Sequence, residues 1–135
     1  MIRLGSPADL KQIDTFDIFA GDRSREIEEQ RLWVYLVEDK AVAYITAVPN
    51  SCLCGHPLIS FLCVHSAHRL QGIASQLLTK VENKYRQQKL FISTESNNNI
   101  MLNLIKQREY ILAGSLAKLN DDGSDEVYFY RDPNS

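Results

Sequence analysis

The chain alternates between short apolar runs and amphipathic segments with helical spacing. Runs of four to eight residues rich in β-branched and aromatic side chains are typical of strands. Seven runs of this composition occur, of three to ten residues: Ile2–Leu4, "RLWVYLVE", "AVAYITAV", "PLISFLCV", "KLFIST", "YILAGSLAKL" and "EVYFYR". The second and third are separated by Asp39 and Lys40, which predicts a hairpin.

Four segments place apolar residues at the three- and four-residue spacing of a helix. They are "SPADLKQIDTFDIFA", with Ser6 as N-cap and Pro7 at the first helical position, "SREIEEQ", "IASQLLTKVENKYRQQ" and "NNIMLNLIKQR". The order of elements is therefore β-α-α-β-β-β-α-β-α-β-β. This order predicts a mixed α/β (α+β) fold with a mostly antiparallel central sheet flanked by helices on both faces.

The 135 residues suit one domain spanning 1–135. The formal net charge of -2 argues against a nucleic-acid partner. We expect no membrane partner, since no apolar stretch is long enough to span a bilayer and the first residues do not resemble a secretory leader. Three cysteines cannot all pair with one another, which favours a reducing cytoplasmic location.

The segment "HSAHRLQGIASQ" places Gly72 where a strand gives way to a helix. The first turn of a helix leaves backbone N–H groups unpaired and carries partial positive charge, so it can hold an anion. A glycine there can instead serve helix packing alone. The three glycines of dinucleotide-binding folds and the Gly-Lys-Ser/Thr of nucleotide-binding loops are both missing.

The longer segment "VHSAHRLQGIASQLL" resembles the acetyl-CoA signature of the GNAT superfamily of N-acetyltransferases, Arg/Gln-x-x-Gly-x-Gly/Ala after a strand that ends in Val. Arg69, Gly72 and Ala74 match the signature, and Val64 matches the strand end. The order of elements is similar to that fold over nearly the whole chain. The resemblance implies a GNAT-like acyl-CoA N-acyltransferase domain that uses acetyl-CoA as co-substrate, needs no metal, and transfers acetyl to a primary amine by direct attack.

The resemblance also assigns the cofactor residues. The strand before the loop would offer main-chain groups to the pantetheine arm, and the loop with the start of its helix would hold the diphosphate. "TESNNNIMLNLIKQREY" resembles a second family motif, whose Asn falls on Asn98 and would cap a helix and touch the pantetheine. The cofactor-binding set is Leu62, Cys63, Val64, Arg69, Leu70, Gln71, Gly72, Ile73, Ala74, Ser75 and Asn98.

Two positions depart from the second motif. Glu109 stands where the family has Gly, and Ile105 stands where many members have the Tyr that protonates the leaving thiolate and faces the cofactor sulfur. A larger side chain at position 105 is therefore expected to cost little stability. The general acid is unknown; a water, the hydroxyl of Ser96 or no acid at all are the alternatives.

The attacking amine must lose a proton to a base. Glu95, just after the fifth strand, is the first candidate for this base, although a carboxylate there can simply stabilise the next helix. His65 is the second candidate.

Two further interpretations stay open. The chain could be a GNAT-fold module that binds CoA with little or no catalysis. Six potential zinc ligands lie within one short stretch: Cys52, Cys54, His56, Cys63, His65 and His68. Their C-x-C and C-x-H spacings do not suit a closed tetrahedral zinc site. The acceptor is a small-molecule or peptide amine, and a homodimer is compatible with the sequence.

Acidic residues in the N-terminal helical region would suit a cationic acceptor. They are Asp14, Asp17, Asp22, Glu26, Glu28 and Glu29.

Overall fold

The computed structural model of the protein describes all residues, Met1–Ser135. The strands are β1 (Ile2–Leu4), β2 (Leu32–Val37), β3 (Lys40–Val48), β4 (Leu58–Val64), β5 (Leu90–Glu95), β6 (Ile111–Leu116) and β7 (Glu126–Arg131). The helices are α1 (Leu10–Asp14), α2 (Arg23–Glu28), α3 (Ile73–Lys84) and α4 (Asn99–Gln107), with short 3₁₀ turns at Pro7–Asp9 and Ser66–His68. The predicted order of strands and helices is confirmed.

By its internal contacts the chain divides into two compact units. The first comprises Met1–Pro49 and Ile59–Lys84, and the second comprises Asn50–Leu58 and Tyr85–Ser135. Whether residues 1–135 behave as one domain stays a prediction.

In the first unit the strands lie in the order β1-β2-β3-β4. β1 pairs with β2, and β2 with β3, in antiparallel register. The N–H of His65 donates to the carbonyl of Val42, and the N–H of Phe61 donates to the hydroxyl of Thr46. From the first of these bonds to the second, the residue number falls on the β4 side and rises on β3. The strand β4 therefore runs antiparallel to β3.

The hairpin between β2 and β3 turns one residue earlier than predicted. Its two loop residues are Glu38 and Asp39, both with positive φ (52° and 64°). Two successive left-handed residues make a type I′ turn, whose twist matches that of the flanking strands. Lys40 therefore belongs to β3, paired with Val37.

The core of the first unit follows from strand alternation. Leu32, Val34 and Tyr44 lie on one face and form a buried cluster with Ile13 of α1 and Ile27 of α2. Each buried aliphatic side chain of this kind contributes about 1.5–3 kcal/mol of transfer free energy.

On the opposite face of these strands, Trp33 and Ile45 pair across β2 and β3. The Nζ of Lys84, the last residue of α3, lies 6.0 Å from the Trp33 ring. The helix α3 turns Leu77, Leu78 and Val81 into the interior, each with none of its surface exposed. Strand alternation thus gives the sheet of this unit two apolar faces, which is what helices on both sides require.

The first helix is much shorter than its sequence pattern predicts. α1 ends at Asp14, although the apolar spacing continues to Phe16. The following loop is fixed instead by a buried ion pair, in which Nε of Arg23 lies 2.9 Å from Oδ2 of Asp17. Arg23 also pairs with Glu26 and donates to the carbonyl of Ala20.

In the second unit the strands lie in the order β5-β7-β6, with antiparallel pairing throughout. Ile92 of β5 pairs with Phe129 of β7, and both are buried. The neighbouring residues on each strand point to the opposite face. Ile105 of α4 is fully buried as well.

Candidate active site

The loop before α3 has the geometry of an anion-binding helix start. Gly72 accepts the first intrahelical hydrogen bond, from the N–H of Gln76 at 3.1 Å. Its φ is +75°, and a Cβ placed there would meet no atom within 4 Å. The glycine is therefore required by backbone conformation and not by helix packing. The space in front of it is open to a ligand.

The predicted loop residues differ in what they can offer. Gln71 and Gly72 are exposed, Ala74 and Ser75 are half-buried, and Ile73 is only 3% exposed. The first backbone N–H groups of a helix have no partner within it, so Ile73 can serve a ligand through its main chain while its side chain fills the core.

Leu70 is fully exposed and has a φ of +64°, which is uncommon for a leucine. Arg69 is exposed, and its Nε donates to the carbonyl of Val64 at 3.4 Å. This contact ties the arginine to the end of β4. Arg69 is therefore placed at the rim of the loop, where a guanidinium can meet an anion.

A shallow groove of about 390 Å³ continues from the loop along α3. It is lined by Ser75, Gln76, Thr79, Lys80 and Asn83 of the helix and by Ile2 of β1. Lys80 gives this groove one cationic side chain, which suits an anionic extension of a ligand held at Gly72.

On β4 the predicted residues fall on two faces. Cys63 is 4% exposed, its thiol lies 3.6 Å from the carbonyl oxygen of Phe16, and burial raises its pKa. It packs as a small apolar side chain. Leu62 and Val64 are half-buried on the other face.

Ser60 shares that other face by strand alternation. Its hydroxyl is buried without a hydrogen-bond partner. An orphaned hydroxyl of this kind is costly unless something pairs with it. Together with the open space at Gly72, it indicates that the residues of β4 and the loop fit a ligand carrying both amide and phosphate groups.

His65 is already engaged at one ring nitrogen. Its Nδ1 accepts a hydrogen bond from the N–H of Ala67 at 3.0 Å. In a neutral imidazole the other nitrogen, Nε2, then carries the proton. A base at His65 would have to act through Nδ1, the nitrogen that Ala67 already engages.

In the second unit, Glu95 is the last residue of β5 and is half-buried, and its carbonyl accepts from the N–H of Asn98 at 3.0 Å. Asn98 caps α4, since its Oδ1 accepts from the N–H of Met101 at 3.1 Å. The tight turn brings both predicted residues to the same end of β5. Whether either contacts a cofactor or substrate stays a prediction.

The two departures from the second motif have different structural consequences. Glu109 has a φ of +64°, so the backbone at this position takes the conformation that glycine adopts without strain. Ile105 has no exposed surface and belongs to the core. The expectation that a larger side chain costs little at position 105 is not supported by this burial.

Ser96 was one alternative for the acid. It is exposed, and its hydroxyl accepts a hydrogen bond from the N–H of Asp125 at 3.1 Å. This contact ties Ser96 to the loop before β7.

The cysteines and histidines between positions 52 and 68 are not arranged as a metal site. Cys52 and Cys54 are exposed free thiols while Cys63 is buried, and the ring of His56 lies against Phe91 at a centroid distance of 5.6 Å. No group of three or more His, Cys, Asp and Glu side chains is arranged to hold a metal ion.

Three of the six carboxylates of the N-terminal region pair with arginines within the protein. Asp17 and Glu26 pair with Arg23, Glu29 pairs with Arg25 and Arg31, and Asp22 caps α2. Asp14, Asp22 and Glu28 are exposed and form no ion pair. Whether this region attracts a cationic acceptor stays a prediction.

Three polar residues of β5 and β7 were missed by sequence reasoning. Ser93, Glu126 and Tyr128 share one face with Glu95, because Ser93 pairs with Tyr128 and Glu95 with Glu126. The alternation in "EVYFYR" shows that Glu126 and Tyr128 share a face. Only the strand pairing shows that this face includes Glu95.

The chain matches the acetyltransferase (GNAT) family over residues 6–110. It belongs to this family and is an N-acetyltransferase, an acyltransferase enzyme. None of the curated proteins matches it.

Solved structures share the whole fold. A GNAT-family acetyltransferase from Bacillus cereus ATCC 10987 has a TM-score of 0.76 and 24% identity, and the match covers 98% of this chain and 96% of that one. Ard1 from Thermoplasma volcanium has a TM-score of 0.83 and 19% identity, with coverages of 97% and 95%. A ribosomal-protein-alanine N-acetyltransferase from Brucella melitensis has a TM-score of 0.81 and 19% identity, with coverages of 97% and 98%.

At these identities the likeness shows the fold. It confirms the predicted class, a mixed, mostly antiparallel sheet flanked by helices. None of the helices is long and apolar enough to cross a membrane.

Proposed function

We propose that the protein moves the acetyl group of acetyl-CoA to a primary amine by direct attack. The observation that carries the proposal is Gly72, a left-handed residue at the start of α3 with open space where a side chain would be. Its place within the family signature makes the open space a diphosphate site.

In the first unit, main-chain N–H groups from Gly72 to Ser75 bind the diphosphate, with the helix dipole and Arg69 adding positive charge. The main chain of Leu62, Cys63 and Val64 pairs with the pantetheine arm. When bound, acetyl-CoA supplies an activated acyl group on a thiol that leaves readily. In the second unit, the family motif assigns Asn98 to cofactor binding beside its capping bond.

Glu95 serves as the base that takes the proton of the amine, directly or through a water. It is favoured over His65 because Nδ1 of His65 already accepts a hydrogen bond from Ala67. The reaction needs no covalent intermediate on the protein.

The acceptor is a small molecule or a peptide. Because three of the six N-terminal carboxylates are paired with arginines, the acceptor is chosen by shape as well as by charge. One solved neighbour is named as a ribosomal-protein-alanine N-acetyltransferase, which supports including peptide N-termini among the candidates. A cytoplasmic location, supported by three free cysteines, and a homodimer belong to the same proposal.

A CoA-binding module with little or no catalysis is the second candidate. Ile105 favours it, because an aliphatic side chain stands where many family members carry the acid.

The test is acetyl-CoA consumption with a panel of primary amines, comprising small polyamines, amino acids and short peptides, with detection of the released thiol. The proposal expects release that depends on one class of amine. Binding of acetyl-CoA without release for any amine would favour the second candidate. Absence of acetyl-CoA binding, measured by thermal shift, would overturn both.

A further inference from the structure

One face of the β5–β7 pair carries a set of polar side chains beside Glu95. Cross-strand pairing places Ser93 opposite Tyr128 and Glu95 opposite Glu126. The alternate residues Ile92, Thr94 and Phe129 are buried on the other face. Four polar groups, two from each strand, therefore lie together at the end of β5 where the proposed base lies.

The carboxylate of Glu126 is held in a fixed orientation by neutral donors. The hydroxyl of Ser93 donates to Oε2 at 2.7 Å, and the amide of Asn120 donates to Oε1 at 3.1 Å. Neither donor neutralises the charge, in contrast to the arginines that pair with the N-terminal acids. Glu126 thus lies beside Tyr128, two residues along the same face, and acts on it by its charge.

The environment of Tyr128 keeps its phenol protonated. The side chain is half-buried, and burial, then the charge of Glu126, then Cys52 from the loop 50–58 raise its pKa. Glu95 on β5 adds a further negative charge on the same face. A phenol with a raised pKa remains a hydrogen-bond donor throughout the neutral range.

Tyr128 and Glu95 are diagonal neighbours across the strand pair. Diagonal residues have Cα atoms about 7–8 Å apart, within the reach of an aromatic side chain. A reacting group held at Glu95 therefore lies within range of the Tyr128 hydroxyl. No hydroxyl is available at position 105, where the side chain is isoleucine.

We propose that Tyr128 donates a hydrogen bond to the sulfur of the leaving thiol and takes the place of the missing tyrosine at position 105. This inference rests on the proposed function. In the reaction the amine nitrogen bonds to the acetyl carbon, its proton passes to Glu95, and the carbon–sulfur bond breaks with its electron pair going to sulfur. Tyr128 stabilises the developing thiolate without losing its own proton, so the groups balance with no further reactant.

Tyr128→Phe is the test, because it removes only the hydroxyl. We expect kcat to fall by about 10²-fold, the usual effect of losing one donor to a developing charge. Tyr130→Phe is the control: it lies two residues on along the same face, with its ring 6.0 Å from that of Phe91. It should leave kcat unchanged. Equal kcat in the Tyr128→Phe variant and the wild type would overturn the inference.

A second readout uses CoA itself and needs no turnover. If Tyr128 donates to the sulfur, the thiol of bound CoA has a lower pKa in the wild type than in Tyr128→Phe, as followed by the ultraviolet absorbance of the thiolate. The difference should reach about one pH unit, a tenfold change in the ionisation constant. Equal thiol pKa values in the two proteins would overturn the inference even when CoA binds, whereas loss of CoA binding in the wild type would instead refute the proposed function.

Discussion

The guanidinium of Arg23 lies 2.9 Å from the carboxylate of Asp17, which also accepts a hydrogen bond from the hydroxyl of Tyr44 at 2.6 Å. Arg23 in turn lies over the ring of Phe61, 4.5 Å from its centroid. These contacts join the loop after α1 to strands β3 and β4. The loop is thereby held in one conformation by a buried charged network, not by helix.

The network predicts a stability that depends on pH. Burial would raise the pKa of Asp17, but hydrogen bonds from Tyr44 and Arg23 outweigh it and lower the pKa. A lowered carboxyl pKa stabilises the fold above the unfolded-state value and ceases to do so as pH falls through the folded-state value. Asp17→Asn should therefore cost about 3 kcal/mol at pH 7 and progressively less toward pH 2.

Urea unfolding of both proteins across this pH range measures the difference. Asp14→Asn, an exposed change on α1, should stay within about 0.5 kcal/mol of the wild type. A loss of stability in Asp17→Asn that does not vary with pH would contradict the lowered pKa of Asp17.

Gly72→Ala should weaken acetyl-CoA binding by at least tenfold, because a Cβ would enter the space assigned to the diphosphate. Gly123→Ala is the control, since Gly123 also has a positive φ (+87°) and open space at its Cβ. Both variants should lose a similar 1–2 kcal/mol, roughly the cost of a left-handed alanine. Titration calorimetry with acetyl-CoA separates them. Equal affinity in the two variants would remove Gly72 from the cofactor site.

Glu95→Gln keeps the size of the side chain but cannot accept the proton. The rate near neutral pH should fall by about 10²-fold or more, and acetyl-CoA affinity should stay unchanged. His65→Gln should have a much smaller effect on the rate, because Nδ1 of His65 is already engaged. The pH profile of turnover compares the two, and a normal acidic limb in Glu95→Gln would transfer the role of base to His65 or water.

Ile105→Tyr should destabilise the protein by about 1–3 kcal/mol, because the side chain has no exposed surface and a larger one overpacks the core. Ile100→Tyr is the control on the same helix, where the side chain is 77% exposed, and it should change little. Thermal unfolding measures both. An unchanged melting temperature in Ile105→Tyr would mean that the ring reaches the cofactor slot implied by the family.

Glu109→Gly should stabilise the protein by about 1 kcal/mol, since glycine adopts the positive φ at this position without the steric cost that a Cβ brings. Lys106→Gly, within α4, should instead destabilise by up to about 1 kcal/mol. Chemical denaturation measures both variants. Changes of opposite sign in the free energy of unfolding would support the argument from backbone conformation. A loss of stability in Glu109→Gly would show that its side chain contributes more than its backbone costs.

Local patterns predicted most of the elements. Alternating and helical apolar spacing gave every strand and helix in the right order, because each periodicity is set by backbone geometry alone. Boundaries were less exact where a long-range contact intervened. α1 ends early since Asp17 binds Arg23 and Tyr44, and no local pattern reveals partners that far along the chain.

The sequence by itself determined the family and the loop at Gly72, because the glycine, its neighbours and the strand before it are contiguous. Only the tertiary structure decided which carboxylates are already paired, that Ile105 is buried, and that Tyr128 lies diagonal to Glu95. Contacts between residues distant in sequence depend on strand register. A register shift of one residue would turn Tyr128 to the opposite face.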